Sequence, residues 1–250
     1  MALTEQNRKR YLQAIGLPLW VPRARDVRMQ THDSKTFPEM LNTQLHNDIN
    51  EPAIDTTGIS TNSFAKISGL DWPELSSTVA SCTACDLSAT RTQTVFGTGN
   101  KNADWLFIGE APGAEEDKQG QPFVGRAGLL LNAMLFALGL KRDDIYITNV
   151  LKCRPPNNRD PRPEEVAQCE MFLRAQINLI NPGVIVALGR HAAHNLLKTD
   201  KTLSSLRGQT HDFHGTPLVV TYHPAYLLRT PADKNKSWQD LCLANKLVQQ

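Results

Sequence analysis

Trp105-Leu106-Phe107-Ile108-Gly109-Glu110-Ala111-Pro112-Gly113 sets a short apolar run directly against a segment of glycines, a proline and an acid. Short apolar runs closed by turn residues read as strands. Three more follow downstream: Ile145-Tyr146-Ile147-Thr148, Val184-Ile185-Val186-Ala187-Leu188 and Leu218-Val219-Val220-Thr221. Between them lie helical patterns. Ala127 to Leu138 carries Leu130, Leu131, Met134, Leu135 and Leu138 at near-helical spacing, and Glu164 to Ile180 carries Val166, Met171, Leu173 and Ile177 before the breakers Asn181-Pro182-Gly183. Arg190 to Leu197 predicts a shorter helix after the third strand, and Lys236 to Val248 a closing one. The alternation predicts an α/β domain around a mostly parallel, four-stranded sheet. In such a sheet ligands collect at the carboxyl ends of the strands, so the chemistry is sought in the segments that follow them.

After the first strand, Gly109 to Asp117 continues into Gln121-Pro122-Phe123-Val124-Gly125-Arg126-Ala127-Gly128. Glycines here permit close backbone approach, and helix N-terminal amides can face a phosphate or a developing anion. The stretch lacks the Gly-Lys-Ser/Thr ending of a P-loop and the dinucleotide fingerprint, so neither triphosphate hydrolysis nor hydride transfer is supported. The second strand ends in Thr148-Asn149, whose amide donates and accepts at once, as reading a base edge requires. The fourth leads into Tyr222-His223-Pro224-Ala225-Tyr226-Leu227-Leu228-Arg229, a histidine beside a proline-ordered loop.

Cys82 and Cys85 form a C-x2-C pair, while Cys153 and Cys169 flank a Pro-rich loop, Arg154 to Pro161, and the helix after it. Spacing alone leaves zinc and iron-sulfur as equal alternatives. The fifth cysteine, Cys242, sits among Trp238, Leu241 and Val248 and reads as a buried structural thiol. With no secretory signal, five cysteines argue against a disulfide framework and for a cytoplasmic location. No apolar run approaches the roughly 18 residues that span a bilayer, so no membrane is expected.

At 250 residues and 40% apolar content the chain has room for one sizeable domain and an appendage. Its net charge of +2 means that any nucleic-acid footprint must come from local clustering; Lys152, Arg154, Arg159 and Arg162 are the candidates. Residues 29–75, rich in Asn, Thr, Ser, Asp and Pro, read as a flexible linker. Residues 1–28 read as a short docking peptide, with Tyr11, Leu12, Ile15 and Leu19 along one side of a short helix; the other reading is an amphipathic arm packed on its own domain. Residues 76–250 form the folded domain.

Taken together, Gly109-Glu110-Ala111-Pro112-Gly113, Pro122 to Gly128, Thr148-Asn149-Val150-Leu151-Lys152-Cys153-Arg154-Pro155-Pro156-Asn157-Asn158-Arg159 and His223 to Arg229 resemble the family 4 uracil-DNA glycosylases, from about Cys82 to the C-terminus. The resemblance implies a three-layer α/β/α sandwich and a [4Fe-4S] cluster held by Cys82, Cys85, Cys153 and Cys169. It implies uracil-containing DNA as the substrate, extruded and cut at its N-glycosidic bond by a monomer. Phe123 would be the stacking platform, Asn149 the edge reader and His223 the donor to the departing base. The Glu110-Ala111 backbone would touch the base, Glu116 would shape the pocket or orient water, and Leu227, Leu228 and Arg229 would press into the DNA. Ala111 stands where other uracil glycosylase families place a water-activating Asp, which leaves the activator open. The competing expectation is a DNA- or replisome-binding module of the same fold with weak or lost catalysis. Within the arm, residues 8–25 are similar to the peptide by which the clamp-loader psi subunit docks on chi, implying chi as a partner.

Overall fold

The computed structural model describes residues 67–249; the predicted docking peptide and most of the predicted linker lie outside the described residues. Strands β1 (Thr98–Gly99), β2 (Trp105–Gly109), β3 (Tyr146–Asn149), β4 (Val184–Leu188), β5 (Thr210–Phe213) and β6 (Thr216–Thr221) form one sheet in the order β1-β3-β2-β4-β6-β5. The inner four are mutually parallel, as expected, and β1 and β5 add antiparallel edges, making six strands where four were predicted. The sequence does not mark the two edge strands, for a physical reason. β1 is two residues long, and β5 alternates exposed with half-buried positions and has no apolar run. The β5–β6 hairpin turns on His214-Gly215, both at positive φ (50° and 90°), the backbone that a two-residue hairpin loop demands.

Helices cover both faces. α1 (Trp72–Ala80), α4 (Pro163–Ile180), α5 (Arg190–Leu197) and the short α6 (Leu203–Leu206) alternate in the chain with α2 (Ala114–Gln119), α3 (Arg126–Leu138), α7 (Pro224–Arg229) and α8 (Lys234–Val248). Side chains alternate across a strand, so Leu106, Ile108, Ile185, Ala187, Leu218 and Val220 pack against Leu173, Ile177, Ala192 and Leu196 of α4 and α5. Trp105, Phe107, Ile147, Val186, Leu188 and Val219 pack on the other side against Leu131, Met134 and Leu135 of α3, Leu227 of α7 and Leu241 of α8. Two apolar faces on one sheet give the three-layer sandwich.

The boundary at residue 75 falls inside α1. Asp71 caps that helix, accepting from the amide of Glu74 at 2.9 Å while its own amide donates to the Glu74 carboxylate at 3.0 Å. Leu75 and Val79 are buried with Phe172 and Ala175 of α4. A helix with only two buried positions shows too weak a period to stand out from polar surroundings. Among the described residues, no helix is long and apolar enough to cross a membrane.

Candidate active site

Gly109 at the end of β2 is in register with Asn149 at the end of β3. The amides of Val150 and Leu151 then donate to the carbonyls of Gly109 (2.9 Å) and Glu110 (3.0 Å), so the two segments leave the sheet side by side. A Cβ on Gly109 would lie 2.3 Å from Asn149 Oδ1 and 2.7 Å from Phe123 Cζ, so only glycine lets both side chains close over this strand end.

Phe123 sits at φ 54°, a left-handed backbone that a bulky residue adopts only when its surroundings impose it. Three groups do so. Arg142, from the 3-10 turn Arg142–Asp144, donates to the Phe123 carbonyl at 3.2 Å and also to that of Pro122. Glu116 Oε1 accepts the amides of Val124 (2.9 Å) and Gly125 (3.0 Å). Gly128 clears the space occupied by the Phe123 carbonyl. The ring is buried and its centroid lies 5.5 Å from that of His223.

His223 follows β6 and caps α7, its Nδ1 accepting the amide of Ala225 at 3.1 Å. Burial first, and the Arg229 charge next, hold its pKa down to about 4 against the weaker pull of Glu116. The ring is therefore neutral near pH 7. With Nδ1 already an acceptor, its proton resides on Nε2.

A cavity of about 470 Å³ is walled by Glu110, Ala111, Glu116, Phe123, Asn149, His223 and Arg229 among others, so seven residues singled out from sequence meet in one place. Asn149 Oδ1 is buried beside it without a hydrogen-bond partner. Leu227 does not join them. The segment expected as a DNA-probing loop is helix α7, and Leu227, with 0% exposure, anchors it in the core, while Leu228 and Arg229 face outward. Lys152 is likewise corrected as a phosphate contact, because it is 1% exposed and saturated with internal partners. Arg154, Arg159 and Arg162 stay outside the core, Arg159 paired with Glu165.

Glu110 contributes more than backbone. Burial, then the negative charge of Asp160, push its pKa up to about 7, with Arg190 pulling the other way. Asp160 Oδ2 lies 3.2 Å from His191 Nε2, which is 3.9 Å from Glu110 Oε2. No sequence motif marks Asp160 or His191, although Arg190-His191 begins one residue after β4, at the carboxyl edge of the sheet where ligands are expected.

Cys82, Cys85, Cys153 and Cys169 line a second cavity together with Arg91, Lys152 and Phe172, and all four are free thiols. Arg91 Nη1 donates to Cys153 Sγ at 3.1 Å and the Lys152 amide to Cys169 Sγ at 3.3 Å. Among the described residues, the one group of three or more His, Cys, Asp or Glu with ligand atoms within 4.8 Å of one another is Glu110, Asp160 and His191, so no three of these sulfurs are that close. Cys242, expected as a buried thiol, is half-buried on α8.

Residues 96–243 match the family model described as the uracil DNA glycosylase superfamily. Similar proteins include the type-4 uracil-DNA glycosylase of Thermotoga maritima, 51% identical over 162 residues, 64% of this chain and 84% of that protein. That of Archaeoglobus fulgidus is 49% identical over 61% of this chain and 81% of its own length. That of Pyrobaculum aerophilum is 40% identical over 70% and 93%. The matched residues include the sheet, the whole lining of the 470 Å³ cavity, Cys153, Cys169 and the His223 helix, and the chain belongs to the uracil-DNA glycosylase superfamily, within its type-4 branch.

Proposed function

We propose that the chain hydrolyses the N-glycosidic bond of deoxyuridine in DNA, leaving an abasic site, with the residues of the 470 Å³ cavity in defined roles. The bond is out of reach in stacked DNA, so the nucleotide swings out into the cavity. Phe123 offers its face to the base. Asn149 Oδ1, an orphaned buried acceptor, receives the N3–H of uracil; leaving such an atom unpaired costs about 1–3 kcal/mol, and the N3 of cytosine has no proton to give it. Cleavage leaves negative charge on the base, and the His223 Nε2–H is a neutral donor aimed at that charge.

Water activation falls to Glu110. Ala111 has no group for it, and Glu116 Oε1 is committed to the amides that hold the Phe123 turn. A carboxylate with a pKa of about 7 is well matched to take a proton near neutrality. The single observation that carries the reading is the joint placement of a neutral, oriented His223 and an unpaired Asn149 oxygen on one cavity.

The four cysteines would hold a [4Fe-4S] cluster. Zinc bonds of about 2.3 Å draw four sulfurs to about 3.8 Å of one another; here no three lie within 4.8 Å, which suits a larger centre. The donors on Cys153 and Cys169 suit thiolate ligands. Through Cys82 and Cys85, Cys153 and Cys169, such a cluster would cross-link the segment before residue 86, the Cys153 loop and α4. The protein would act as a cytoplasmic monomer, and residues 8–25, outside the described residues, would tether it to the clamp-loader chi subunit through the linker read over residues 29–75.

The test is a labelled oligonucleotide with one deoxyuridine, incubated with protein and then alkali. Strand cleavage at that nucleotide is expected; tight binding without cleavage would favour the non-catalytic module. Deletion of residues 1–28 should abolish a chi pull-down.

A further inference from the structure

Lys152 is 1% exposed, and among the described residues no carboxylate pairs with it. Its Nζ donates to the Thr148 hydroxyl (2.6 Å), Gln176 Oε1 (2.6 Å) and the backbone carbonyl of Asn149 (2.7 Å), which exhausts the three donors of an ammonium on three neutral oxygens. Two of those partners are fixed in turn. The Thr148 hydroxyl and Gln176 Nε2 both donate to the Phe96 carbonyl, each at 2.9 Å. The network ties Nζ to the main chain of Asn149, the residue whose side chain lines the uracil cavity.

A buried cation without an anion is costly. The backbone amide of Lys152 donates to Cys169 Sγ, and the next residue is Cys153. A centre ligated by four thiolates would be net negative, and Lys152 lines the same cavity as the four cysteines.

We propose that Lys152 is a positioning residue for base recognition: it locks the Asn149 main chain, draws its counter-charge from the cysteine centre, and so makes that centre and the uracil cavity one electrostatic unit. This rests on the reading of Asn149 as the uracil reader. It gives the cysteine centre a part in recognition besides bracing loops. It also accounts for a lysine, in place of an apolar side chain, at a buried position between two cavities.

The experiment is Lys152→Met, which keeps the bulk and removes Nζ, in wild-type and Asn149→Ala backgrounds. Binding is read on an oligonucleotide carrying 2′-fluoroarabino-deoxyuridine, whose fluorine slows cleavage, and on the same strand with thymidine; iron content and visible absorbance are read alongside. The expected result is an about tenfold fall in preference for the uracil analogue, as loss of a hydrogen bond to a charged group gives. Thymidine-strand affinity and iron content stay unchanged, and the Asn149→Ala background shows no further fall. A parallel loss on both strands, an equal loss without Asn149, or an unchanged preference overturns the proposal. Should Lys152→Met not load iron, Gln176→Met removes one anchor and leaves the lysine; a preference unchanged by it overturns the proposal equally. Wild-type protein with no preference for the analogue would sink the uracil reading itself, whereas a preference that survives Lys152→Met sinks only the lysine's role.

Discussion

The amide of Ala225 donates to Nδ1 of His223 at 3.1 Å, and this one bond decides what the histidine can do. It fixes the tautomer and leaves the ring proton on Nε2. Burial and Arg229 keep the ring neutral down to about pH 4, so no charged ring competes for the bond. His223→Ala should slow single-turnover uracil release about 100- to 1,000-fold, the cost of losing a preorganised donor at a developing anion. Affinity for the DNA should barely change. A variant that releases uracil at the wild-type rate would remove His223 from the mechanism.

As the proposed base, Glu110 should set the pH dependence. As a base it must be ionised, so single-turnover rates should fall as pH drops through about 7. Facing it are Asp160, Arg190 and His191, with Glu116, His223 and Arg229 across the cavity. The Asp160 charge raises its pKa, so Asp160→Asn should shift the acidic limb to lower pH, and Glu110→Gln should abolish the limb together with most of the rate. An acidic limb unmoved by Asp160→Asn would break this assignment.

The same shift costs stability. A carboxyl whose folded pKa is raised stabilises fully only below its unfolded value near 4.5 and loses that contribution as pH rises through about 7. Glu110→Gln should therefore melt a few degrees above the wild type at pH 8, the shift that about 1 kcal/mol gives in a domain of this size. At pH 4.5 the two proteins should melt nearly together. Differential scanning at both values reads the difference.

Gly109 explains how far the site was legible in the sequence. Buried apolar runs announce β2, β3, β4 and β6, and a parallel sheet dictates that Glu110, Asn149, Arg190-His191 and His223 emerge at one edge. The close packing of Asn149 and Phe123 over Gly109 depends on register and on a strained turn, which no local pattern encodes. Nor does periodicity tell a probing leucine from a core one within six residues, and Leu227 fell on the core side. Gly109→Ala should displace reader and platform together, reducing kcat/KM for uracil excision at least tenfold, while the overpacking costs about 1–3 kcal/mol of stability. Activity near wild type with unchanged circular dichroism would mean that the pocket is looser than its contacts.

Arg142 lines no part of the cavity, yet it holds the carbonyls of Pro122 and Phe123 as well as Asn132 Oδ1 at 3.1 Å. A guanidinium reaches several acceptors as a rigid fork; an ammonium does not. Holding Phe123 at positive φ costs of order 1–3 kcal/mol, and without the fork the turn can relax toward ordinary backbone, taking the ring off its place beside His223. Arg142→Ala should thus lower kcat about tenfold with little change in KM for DNA, and Arg142→Lys should recover only part of it. If the arginine acts through the ring, its loss should add almost nothing once Phe123 is alanine. Additive losses in that double mutant would assign Arg142 to the scaffold alone, and the stacking platform would then owe its pose to Glu116 and Gly128.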